Sequence, residues 1–152
     1  MYSYLNSRAL LKISGGDAES FLQAQLSNNI NELDHSRIQL NAYCQHQGKM
    51  IALFWVMRSN DDFLLSFPLD LLEIIKSRLQ MFVIMSDVTI DDVSDNYLQI
   101  GVIDENQNSI TSKIRLIDKS IKIVIKYGEI NKVQSIYFDI PTAIKFAKTL
   151  RS

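Results

Sequence analysis

Residues 8–67 set out, in fixed order, a strand, a tight break into a helix and then a hairpin. Residues 8–14 carry the apolar spacing of a strand that Gly15-Gly16 interrupts. Asp17 stands at the start of the next segment, where its carboxylate is expected to meet the orphan amides of a helix. That helix is expected to reach about Ser27, with Ala18, Phe21, Leu22 and Leu26 on its apolar face. Asn28-Asn29 then stop it by competing for backbone hydrogen bonds. Residues 38–45 and 50–58 form the arms of a hairpin around His46-Gln47-Gly48-Lys49, in which Gly48 is free to take positive φ. The second arm is apolar at every position from Met50 to Met57, the pattern of a central strand covered on both faces.

A turn at Ser59-Asn60-Asp61-Asp62 leads to a strand over 63–67, and Pro68 pre-sets the start of a second helix. Leu72, Ile75, Leu79 and Phe82 line that helix at spacings of three and four, widened by Leu71 and Ile74, so this stripe is expected to face the core. Strands are expected near 88–93, 97–103, 122–127 and 133–138, and a last helix over 141–150, while 104–120 carries no clear pattern. The strand-Pro-helix passage at 63–79 is echoed at 136–151. The expected class is α+β, a mixed and largely antiparallel sheet with helices packed on it, built from duplicated strand and helix units. No linker, charge block or low-complexity tract divides the 152 residues, which read as one domain over 1–152.

With 47% hydrophobic residues the chain can bury a sizeable core, and sixteen Lys and Arg against seventeen Asp and Glu leave a net charge of −1. No global field therefore recruits nucleic acid or an anionic membrane. The basic residues Lys113, Arg115, Lys119, Lys122, Lys126 and Lys132 are diluted by Asp118 and Glu129 and read as a solvated face. No apolar run approaches the ~20 residues of a membrane span, and the start shows no signal-peptide pattern. A single cysteine, Cys44, excludes an internal disulfide and suits the cytoplasm.

Candidates for chemistry are few. The histidines are His35 and His46, and in an extended strand His46 would lie about 6 to 7 Å from Cys44, too far for a thiol-imidazole hydrogen bond. Cys44 reads as a small buried hydrophobe and His46 as a polar turn residue, so no catalytic residue is assigned. Asp61-Asp62 and Asp91-Asp92 are adjacent pairs that point to opposite sides of an extended chain, and no spacing suits a metal. Gly15-Gly16-Asp17 lacks the longer glycine pattern of a nucleotide site and reads as a helix start.

Three segments resemble the opening of the YgfZ-type folate-binding proteins, relatives of the aminomethyltransferase (T-protein) of glycine cleavage. They are Ile13-Ser14-Gly15-Gly16-Asp17, Gln23-Ala24-Gln25-Leu26-Ser27-Asn28-Asn29-Ile30 and Asn41-Ala42-Tyr43-Cys44-Gln45-His46-Gln47-Gly48-Lys49-Met50. The resemblance is strongest over residues 8–93 and matches the first portion of a family member. The family's later Lys-Gly-Cys-Tyr-x-Gly-Gln-Glu segment is not among these 152 residues, so Cys44 does not inherit its cysteine's role. Lys126-Tyr127-Gly128-Glu129 keeps only Tyr, Gly and Glu of a T-protein turn.

The resemblance implies tetrahydrofolate as ligand and an accessory part in maintaining iron-sulfur enzymes, some of which modify tRNA. Aminomethyltransferases use a carboxylate near the strand after the hairpin, whereas Gly48-Lys49-Met50-Ile51-Ala52-Leu53 has no acid, which disfavours that reaction here. The alternatives are a tetrahydrofolate-dependent one-carbon transferase and a domain that acts only by protein interaction. For a bound reduced folate the hairpin offers Asn41, Tyr43 and Gln45 on one strand face, Lys49 for a glutamate tail, and Met50 and Trp55 as a wall. A protein partner or a second copy would complete the site, with no direct nucleic-acid contact and no membrane.

Overall fold

The computed structural model describes residues 2–35, 38–103, 115–117, 120–127 and 130–137. Its elements in chain order are β1 (Tyr2–Tyr4), β2 (Arg8–Ser14), α1 (Ala18–Gln25), β3 (Ile38–Cys44), β4 (Met50–Ser59), β5 (Asp62–Pro68), α2 (Leu72–Met81), β6 (Thr89–Asp92), β7 (Leu98–Ile103), β8 (Arg115–Ile117), β9 (Ser120–Tyr127) and β10 (Ile130–Tyr137). Two compact units emerge, one of residues 7–93 and one of residues 1–6 with 94–152. Each holds a five-stranded sheet, ordered β3-β4-β5-β2-β6 in the first and β1-β7-β10-β9-β8 in the second. Every strand pair described is antiparallel, and with two α-helices among the described residues the class is α+β as expected.

In the first unit, β2 lies between β5 and β6, pairing Leu11 with Leu65 on one side and Ile13 with Ile90 on the other. Alternate residues of the sheet point to one face, where Leu11, Phe54, Leu65 and Phe67 meet Phe21 and Leu22 of α1 and Ile75 and Leu79 of α2. Phe54 is wholly buried between Tyr43, 5.7 Å away by ring centroids, and Phe67, 5.2 Å away. Arg58 ties this sheet to its surroundings: it lies 4.7 Å over the Phe63 ring, pairs with Glu19 at 2.7 Å and donates to the Leu33 carbonyl.

Several expectations need correction. The strand buried along both faces is β5, where Phe63, Leu64, Leu65, Ser66 and Phe67 are all buried. β4 lies one strand from the edge, so its helix-side residues Ala52, Phe54 and Val56 are buried while Leu53 stays 43% exposed and Trp55 is half-buried. α1 stops at Gln25 because the chain leaves it for β3: Ser27 N–H donates to the Ala42 carbonyl, and Ala42 N–H to Ser27 Oγ. Pro68 leads first into a 3-10 turn, Leu69–Leu71, whose first amide donates to the Ser7 carbonyl. The apolar stripe of α2 ends at Leu79, leaving Phe82 at its C-cap 38% exposed. β1 and β8, each three residues, are too short to show a periodicity. The expected helix over 141–150 lies outside the described residues.

Asp17 occupies the helix start but makes no side-chain cap. Its carboxylate accepts from Asp87 N–H at 2.8 Å, while the Asp87 carboxylate accepts from Gly16 N–H at 2.8 Å and the Asp87 carbonyl from Asp17 N–H at 3.1 Å. Gly15 is essential to this clasp. Its φ is +112°, and a Cβ there would lie 2.1 Å from the Asp87 carbonyl oxygen.

Candidate functional site

The hairpin tip is built by its own backbone: Gln45 N–H donates to the Lys49 carbonyl, and Gly48 N–H to the Gln45 carbonyl, each at 2.8 Å. Gly48 takes φ +78°, as its place in the turn requires. A register shift between Tyr43 and Cys44 breaks the strand's alternation just before the tip. Beside it opens a cleft of about 160 Å³. Tyr43 and Cys44 reach it from β3, Gln45 and His46 from the turn, and Ala24 and Gln25 from the end of α1. Arg78 and Phe82 close it from α2, with the His46 and Phe82 rings in a T-shaped arrangement 6.1 Å apart by centroids.

The six hairpin residues expected to bind a ligand do not converge. Tyr43 and Gln45 line the cleft. Asn41 shares the Tyr43 face, but it is fully buried and its polar atoms are engaged, Oδ1 accepting from Asn28 N–H at 2.8 Å and Nδ2 donating to Gln39 Oε1 at 2.9 Å. It clamps the loop after α1 onto β3. Lys49 and Met50 are exposed at the tip and outside the cleft lining. Trp55 pairs with Leu40, one residue out of phase with Phe54 and Val56, and so belongs to the opposite face of the sheet from Tyr43. Cys44, expected buried, is exposed.

Sequence reasoning missed the contribution of α2. Arg78 falls at the seventh position after Leu71 and the third after Ile75, so a charge interrupts the inward stripe; that was the available signal. Its Nε is buried with no hydrogen-bond partner among the described residues. No carboxylate lines the cleft. Among the described residues, no group of three or more His, Cys, Asp and Glu is placed to hold a metal, and no helix is long and apolar enough to cross a membrane.

No family model matches the chain. Its sequence is 34% identical over 93 residues to an aminomethyltransferase of Exiguobacterium sibiricum, covering 60% of this chain and 26% of that protein. It is 22% identical over 124 residues to the tRNA-modifying protein YgfZ of Vibrio atlanticus, covering 82% of this chain and 38% of the relative. The chain thus spans less than half the length of the curated relatives it matches, between 26% and 45% for the first three. In structure it is similar to the glycine cleavage aminomethyltransferase T of Bartonella henselae, with a TM-score of 0.77 at 10% identity over 98% of this chain and 44% of the other, a likeness of fold.

Proposed function

Taking as premise that the chain is a relative of the YgfZ-type and aminomethyltransferase-like proteins and matches part of their length, we propose that it is a YgfZ-like folate-binding module. It acts in the cytoplasm as an accessory to the upkeep of iron-sulfur enzymes, including some that modify tRNA, with its 152 residues working as one functional domain. The observation that carries this reading is the pair of sequence matches to YgfZ and aminomethyltransferase, supported by the shared fold.

The cleft is too small to enclose a whole tetrahydrofolate. Sites that enclose ligands of that size run from roughly 300 Å³ upward, against about 160 Å³ here. The hairpin therefore contributes one part of a folate site, with Tyr43 and Gln45 at the cleft and Lys49 and Met50 at the exposed tip, and the remainder comes from further protein or a second copy. No acid follows the hairpin in Gly48-Lys49-Met50-Ile51-Ala52-Leu53, so the reading is of a binding module and not a one-carbon transferase. A specific observation favours a second, interaction-only reading: Met50 and Leu53 are exposed at one end of β4, apolar surface that a partner would cover.

The test is a calorimetric titration of the chain with tetrahydrofolate under anaerobic conditions, repeated with Lys49→Ala, Gln45→Ala and Tyr43→Phe. Micromolar binding that weakens in these variants supports the reading. Absence of heat at millimolar ligand, with the chain folded, refutes folate binding by this chain and favours the interaction reading.

A further inference from the structure

The cleft beside the hairpin tip contains a group that the folate reading leaves without a use. Arg78 lies in the last turn of α2, and its Nε is buried with no hydrogen-bond partner among the described residues. Arginine cannot shed its charge by losing a proton, so burial there is not relieved in the way a lysine or histidine would relieve it. The negative end of the helix dipole favours a cation at this position, but a dipole accepts no hydrogen bond from Nε. A guanidinium presents a planar fork that matches an oxyanion through two parallel bonds.

The surroundings suit such a guest. Gln25 and Gln45 add amide groups, no Asp or Glu lines the cleft to repel an anion, and Phe82, T-shaped against the His46 ring, supplies an apolar wall. The volume sets the size of the guest. At about 160 Å³ it lies below the roughly 300 Å³ at which sites for drug-sized ligands begin, so the guest is small: an oxyanion group with at most a small flat body.

We propose that this cleft is an oxyanion site in which Arg78 receives the carboxylate or phosphate group of a small molecule, with Phe82 against its flat part. The inference does not rest on folate binding, because it follows from the buried, unpartnered Nε of Arg78 and the cleft's lining.

The experiment follows the side-chain Nε–Hε resonance of Arg78 by NMR in the whole chain, titrated separately with benzoate and with inorganic phosphate. Arg78→Gln and Phe82→Ala serve as comparisons, each checked for an unchanged backbone amide spectrum. The expected result is a saturable shift of the Arg78 signal, with binding about tenfold or more weaker in Arg78→Gln as the bidentate contact is lost. A carboxylate site responds to benzoate and weakens with Phe82→Ala; a phosphate site responds to phosphate and is indifferent to Phe82. Either pattern upholds an oxyanion site. Linear, unsaturated shifts with both probes, or equal affinity in Arg78→Gln, overturn it. Because the Arg78 signal is read in the unsubstituted chain, the test stands even where a variant fails to fold.

Discussion

Replacing Gly15 by alanine probes the clasp that joins the start of α1 to the approach to β6. The added Cβ would lie 2.1 Å from the Asp87 carbonyl oxygen and 2.7 Å from its carbon, backbone atoms that cannot swing aside as a side chain would. Reaching an ordinary contact of 3.4 Å requires a movement of about 1.3 Å, more than a hydrogen bond tolerates. The three bonds at stake are Asp17 N–H to the Asp87 carbonyl, Gly16 N–H to the Asp87 carboxylate and Asp87 N–H to the Asp17 carboxylate. At about 0.7 kcal/mol each, in the lower part of the 0.5–1.5 kcal/mol range as suits exposed groups, they sum to about 2 kcal/mol. A side chain held at φ +112° adds about 1–2 kcal/mol. The expected loss is about 3–4 kcal/mol, a large part of the roughly 5–15 kcal/mol available to a domain. Gly48→Ala is the control, since Gly48 also has positive φ, +78°, but nothing lies within 4 Å of its Cβ. It should cost only about 1 kcal/mol. Urea unfolding read from Trp55, the single tryptophan and a residue of the same unit, should show the midpoint of Gly15→Ala falling by about 1.5–2 M with little change in slope. A fall equal to that of Gly48→Ala would refute the reasoning, because only the clash and the clasp distinguish the two sites.

Phe54→Ala, which empties the space between Tyr43 and Phe67, is expected to cost about 3–5 kcal/mol in the same urea assay; under 1 kcal/mol would mean that the aromatic stack is not the core of the first unit. Asn41→Ala removes the acceptor of Asn28 N–H inside a buried clamp and should cost about 1–3 kcal/mol, while leaving ligand titrations of the folded fraction unchanged. If it instead abolished binding without loss of stability, Asn41 would be a ligand residue. Glu19→Gln removes the charge facing Arg58 across a half-exposed pair and is expected to cost at most about 1 kcal/mol, less in high salt. A salt-independent loss above 2 kcal/mol would count against that view.

The parts of this protein that its sequence determined are local. Alternation and turn residues marked β2 and the hairpin of β3 and β4 almost to the residue, because a strand's period of two and a glycine at positive φ are properties of a few adjacent residues. The stripe Leu72, Ile75, Leu79 located α2 for the same reason. The three segments matching YgfZ-type proteins likewise lie within this locally legible stretch.

Tertiary structure decided whatever depended on chain distant in sequence. β5 became the strand buried on both faces only once β2 and β4 flanked it, so the uninterrupted apolar run of β4 misled. Asp17 gave up a cap for Asp87, seventy residues on, because the fold brings the Asp87 amide within 2.8 Å of its carboxylate. The six hairpin residues shared proximity in sequence but were divided by the pleat, which sends Tyr43 and Trp55 to opposite faces. Arg78 joined Tyr43 and Gln45 at one cleft because α2 packs on the face where β3 ends, a meeting that no spacing along the chain records.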